Sequence, residues 1–161
     1  MSYLMVVTTN RISHPDEAFV RIGNELARVA AHHGLEAVGL AMHSAQEAPL
    51  ARELLGHGLE VIVLLAELKP ILATWQPNWV EDLLTLANTD GVYLRWYVDR
   101  DAAFKRMPLL TWRMVEATAL AVVREQKEDT HQLYVEHAAE MRTPTYRIDP
   151  DTYGTTKLKK S

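Results

Sequence analysis

The sequence predicts an α/β domain with helices on both faces of a mainly parallel sheet, and three observations carry that prediction. Short apolar runs rich in β-branched residues alternate with segments whose apolar residues recur three and four apart. Capping residues and glycines punctuate the joints between them. The run LEVIVLLA, Leu59 to Ala66, is apolar at nearly every position, as expected of a strand covered on both faces in a parallel sheet.

Taken in order, Tyr3 to Thr9 predicts the first strand. It hands over to Phe19, Ile22, Leu26 and Val29, which share one helix face. Ser13 and Asp16 read as a capping pair with Pro15 in the first turn, and Gly34 as the stop. The same grammar repeats in the strand Leu35 to Met42, the box Ser44 and Glu47, the helix face Leu50, Leu54 and Leu55, and the stops Gly56 and Gly58. Leu59 to Ala66 predicts the third strand. Asn78 and Glu81 then cap a helix bearing Val80, Leu83, Leu84 and Ala87, and "NTDG" leads into a fourth strand, Val92 to Val98.

Beyond Asp101 the alternation fades. Phe104 to Leu110 reads as a short helix or loop broken at Pro108, and Thr111 to Arg142 as one long helix. At ~1.5 Å per residue that helix would run over roughly 40 Å, more than so small a body covers. From Thr143 the chain has no periodicity and reads as an extended arm. The expectation is a three-layer sandwich on a four-stranded sheet, Rossmann-like or flavodoxin-like. Residues 1–142 would form the α/β domain and residues 143–161 the arm.

Composition bounds the function. A chain of 161 residues suffices for a self-contained core. The absence of cysteine excludes disulfides, thiol nucleophiles and thiolate metal sites, and makes a cytoplasmic location the default. The longest apolar run is far short of the ~20 residues a bilayer requires, so no membrane partner is expected. Net charge is −4, and residues 143–161 carry four basic against two acidic residues, leaving 13 basic against 19 acidic in the rest. A body that acidic argues against nucleic acid, which needs a basic footprint.

In an open parallel sheet ligands bind beyond the carboxyl ends of the strands, where strand order reverses. The predicted ends carry Asn10 and Arg11, His43, Glu67, and Asp99 with Arg100, the candidate ligand-binding residues. Asn10 and Arg11 suit an anion that uses an arginine fork beside helix N–H groups. No glycine-rich dinucleotide or P-loop fingerprint occurs, no G-x-S-x-G appears, and the cofactor is left unspecified. Glu67 and Lys69 have the E-x-K spacing of metal-dependent nucleases, but strand two brings no second carboxylate to the right end. His32, His33 and His57 belong at helix C-termini, and no metal site is expected. The functional expectation is a small-molecule or nucleotide-binding domain, with or without catalysis. A non-enzymatic assembly subunit is the alternative, self-associating through Leu133, Tyr134, Val135, Met141 and the arm.

Overall fold

A computed structural model of the protein describes residues 2–8, 12, 14–42, 48–66, 81, 84–97, 117–128 and 131–158. The described strands are β1 (Tyr3–Thr8), β2 (Ala37–Met42), β3 (Glu60–Ala66), β4 (Val92–Tyr97), β5 (Ala117–Val123), β6 (Thr145–Ile148) and β7 (Thr155–Lys157). They form a single sheet in the order β4-β3-β2-β1-β5-β6-β7. The strands from β4 to β6 pair in parallel, and β7 runs antiparallel to β6.

Helix α1 (Pro15–His32) links β1 to β2, and α2 (Ala48–Gly56) links β2 to β3. Both lie on one face, where Phe19, Ile22, Leu26, Leu50 and Leu54 pack on Leu4, Val6, Val38, Leu40 and Val63. Helix α3 (Gln132–Glu140) joins β5 to β6 on the other face, where Tyr134 and Ala138 meet Met5, Val7, Leu120 and Val122. The sheet is therefore wound in both directions from its middle. All six residues of β1 are buried, consistent with side chains alternating between two covered faces.

Two α/β joints are closed by the same device. Gly34 (φ 64°) and Gly58 (φ 79°) end α1 and α2. The paired bonds Leu35 N to Ala30 O (2.8 Å) and Gly34 N to Ala31 O (3.0 Å) recur as Leu59 N to Leu54 O and Gly58 N to Leu55 O. The N-terminus of α1 differs from expectation: the capping residue is His14, left-handed at φ 54°, and its side chain makes no capping hydrogen bond among the described residues. Ser13, Ser44 and Glu47 lie outside the described residues.

The C-terminal third requires a correction. The sheet has seven strands rather than four, and Thr111 to Arg142 is no single helix: Ala117–Val123 is strand β5, followed by a turn and the nine-residue α3. ATALAVV is rich in good helix formers, but both its faces are covered between β1 and β6, and tertiary pairing overrides propensity. Nor is residue 143 onward an extended arm, because β6 and β7 complete the sheet. Of the apolar residues expected to line an oligomer contact, Tyr134 is buried beneath α3, Val135 and Met141 are partly buried, and Leu133 is 48% exposed. Among the described residues no helix is long and apolar enough to cross a membrane.

Two substitutions test this packing. A Cβ at Gly39 would stand 2.6 Å from Tyr3 Cε2, so Gly39→Ala should destabilise by about 1–3 kcal/mol, seen as a lower urea midpoint. Arg142 (φ 58°) occupies the left-handed position after α3 that glycine fills after α1 and α2, with Thr143 N bonding Ala138 O at 2.8 Å. Arg142→Gly should therefore raise stability by about 0.5–1 kcal/mol in the same assay.

Candidate functional site

The winding reverses between β1 and β5. There α1 leaves the carboxyl end of β1 toward one face, and α3 follows β5 on the other, so the two described helices depart in opposite directions from adjacent strand ends. Thr8 ends β1 with 1% exposure. Arg124, 7% exposed, follows β5 directly and is still in the ladder, its N–H donating to Ile148 O at 3.0 Å.

Alternation decides where the arginines point. Leu120 and Val122 face α3, so Arg124 continues that face. Its Nη1 donates to Gln132 Oε1 at 2.9 Å, in the first turn of α3. On β6, Tyr146 and Ile148 pack on the α1 side, which turns the intervening Arg147 to the α3 side as well. Arg147 Nη1 lies 3.5 Å from Asp149 Oδ2, and Asp149 Oδ1 accepts the amides of Asp151 (2.8 Å) and Thr152 (3.0 Å). The Thr152 amide is the largest influence holding the Asp149 carboxyl below the usual range, with the Asp151 amide and Arg147 adding to it against burial.

His131 ties the two central strand ends together. It caps α3 in the left-handed region at φ 59°, and its Nε2 lies 2.6 Å from the Thr8 carbonyl oxygen. A carbonyl only accepts, so Nε2 carries a proton and donates it to Thr8 O. Burial is the main cause that lowers the His131 pKa, and Arg124 adds to it, while the Thr8 carbonyl and Glu128 oppose. The residues flanking the reversal thus include two non-glycine residues at positive φ, His14 and His131, each beginning a helix. Such conformations persist where surrounding structure enforces them.

The arrangement gathers charge and donors: a buried guanidinium, a second arginine on the same face that faces Asp149, and the starts of α1 and α3. Burying a guanidinium costs several kcal/mol unless its donors find partners, so Arg124 is held there by a specific environment. Among the described residues no cluster of three histidine or carboxylate side chains forms a metal-ligand set.

The candidates Asn10, Arg11, His43, Glu67, Asp99 and Arg100, with Lys69, lie outside the described residues. The strands preceding them are placed: β1 flanks the reversal and β2 is next to it, whereas β3 and β4 stand two and three strands from β1. Sequence reasoning missed Arg124, His131, Gln132 and Arg147. An arginine directly after an apolar run was the available signal, hidden because that run was assigned to a helix. His32, His33 and His57 do sit at the C-terminal ends of α1 and α2. No protein-family model matches the chain, and no curated protein matches it either.

A pH titration of stability checks the state of His131. Its pKa is lowered on folding, as is that of His33, chiefly through burial. The unfolded chain therefore holds more protons than the folded one just below the ordinary histidine value of about 6.5. Their stabilisation is fully present above that value and is lost as pH falls toward the folded pKa values. Urea midpoints should drop between pH about 7 and 5.5, and His131→Asn should flatten the slope, leaving the part due to His33. Midpoints that rise on acidification would show His131 to be charged in the folded state.

Proposed function

We propose that the protein binds a small anionic molecule, of the phosphate- or carboxylate-bearing class that includes nucleotides, at the reversal between β1 and β5. The single observation that carries this reading is Arg124, buried at the end of β5 beside the strand ends from which α1 and α3 depart in opposite directions. A guanidinium offers a fork that matches phosphate or carboxylate oxygens, and a charge-assisted bond is about twice as strong as a neutral one. His131 supplies the second element. By linking the turn before α3 to the Thr8 carbonyl it orders these strand ends before a ligand arrives, which lowers the entropy cost of binding.

The reading extends to binding and not to a named reaction. No nucleophile and base stand together among the described residues in the manner of an acyl- or phosphoryl-transfer centre.

Differential scanning fluorimetry with AMP, adenosine, citrate and inorganic phosphate provides the test. At a concentration about a hundredfold above Kd, a ligand adds ~2.7 kcal/mol and raises Tm by roughly 5–10 °C in a domain of this size. AMP or citrate should stabilise the protein and adenosine should not. Arg124→Lys should cut that shift by more than half while retaining the native circular dichroism spectrum. Equal stabilisation by adenosine and AMP, or none by any of the anions, would defeat the reading.

A further inference from the structure

The far edge of the sheet carries a second recognition surface. β7 pairs with β6 through alternate residues: Gly154 O accepts from Asp149 N at 3.0 Å, Thr156 stands opposite Arg147, and Leu158 N donates to Thr145 O at 2.8 Å. In an antiparallel ladder the intervening residues then turn their N–H and C=O groups the other way. These are Thr155 and Lys157, and among the described residues no strand takes up their outward groups.

The two faces flanking this edge differ. Lys157 lies opposite Tyr146 and Thr155 opposite Ile148, so both side chains share the α1 side. A groove of about 670 Å³ runs there, with Arg28, His32 and Lys157 on its walls. Its carboxylate, Glu25, is already engaged, with Oε1 3.1 Å from Arg28 Nη1 and Oε2 accepting from Thr155 Oγ1 at 2.9 Å. A second groove of about 550 Å³ is lined by apolar Val135, Ala139, Pro144 and Leu158 together with Arg142, and Lys157 borders both grooves. Lys159 and Lys160 follow in the sequence, so basic residues gather at this end of a chain whose net charge is −4.

We infer that the β7 edge is a docking strand for an acidic, extended segment of a partner protein, which adds to the sheet beyond β7. Side chains of an added strand alternate between faces, so acidic residues at every second position would meet Arg28, His32 and Lys157. The residues between them would enter the apolar groove beneath α3. A second copy of this chain is a poor occupant: its own β7, TTK, brings threonine and lysine and no carboxylate to Arg28, His32 and Lys157. The charge complementarity therefore points to an acidic strand from another protein.

Fluorescence anisotropy on the full chain tests this with a short fluorescein-labelled peptide of alternating Glu and Val. The peptide should bind, and binding should weaken about tenfold between low salt and half-molar salt, as rim charges do when screened. Arg28→Glu combined with Arg142→Glu should weaken it by a similar factor. Both residues are exposed, and circular dichroism verifies that the variant is folded. The same peptide N-methylated at alternate amides should lose binding, since it cannot complete the ladder, and this control changes nothing in the protein. Equal binding of the N-methylated peptide or of an alternating Lys and Val peptide would overturn the inference. So would binding to phosphatidylserine vesicles without binding to the peptide, or sedimentation showing that the β7 edge is occupied by a second copy.

Discussion

Parallel pairing of β1 with both β2 and β5 is the constraint on which the rest of the molecule depends. It places six consecutive residues in the middle of the sheet, each side chain removed from water at a gain of about 1.5–3 kcal/mol for a fully buried Val, Leu or Met. It also sets β4 and β5, consecutive among the described strands, on opposite sides of β1. Helices on the β2 side must then pack on one face and α3 on the other, because right-handed crossovers that run in opposite directions from a central strand cover opposite faces. The opposite departure of α1 and α3 from adjacent strand ends is thus a consequence of topology.

Polar chemistry gathers where that topology leaves room. Arg124 and Arg147 lie on one face because β5 and β6 are in register, Val122 opposite Arg147 and Val123 opposite Ile148. His131 bridges from the start of α3 to the end of β1, a contact across 123 positions of sequence. Electrostatic cost constrains such a place: a guanidinium at 7% exposure is stable there only within a donor and acceptor network, of which Gln132 is one member.

The C-terminal hairpin is fastened to α1 by three dissimilar contacts. Thr155 donates to Glu25, the His33 ring nitrogen meets the Tyr146 hydroxyl at 2.7 Å, and the Arg21 guanidinium sits 5.2 Å from the centre of the Tyr153 ring. They hold β7 as a regular edge of the sheet. Aspartate at residue 149 supports the turn through two backbone amides, an Asx-type arrangement that the letters IDPDTYG already encode. That turn chemistry was legible and was overlooked because the two strands it joins have only four and three residues, too short for periodicity to register.

By itself the sequence determined the α/β class, the first four strands, the first two helices and the glycine stops after them. Each of these rests on local physics: alternation of apolar runs, helix spacing and the left-handed preference of Gly34 and Gly58. Only the tertiary structure decided that ATALAVV is a strand, because an alanine-rich apolar run satisfies helix and buried strand equally until neighbours on both sides claim its hydrogen bonds. The same holds for the site. That strand ends would carry polar residues was readable, but Arg124 joins Thr8 and His131 only because β5 lies against β1, and strand order is a property of long-range pairing that no local pattern encodes.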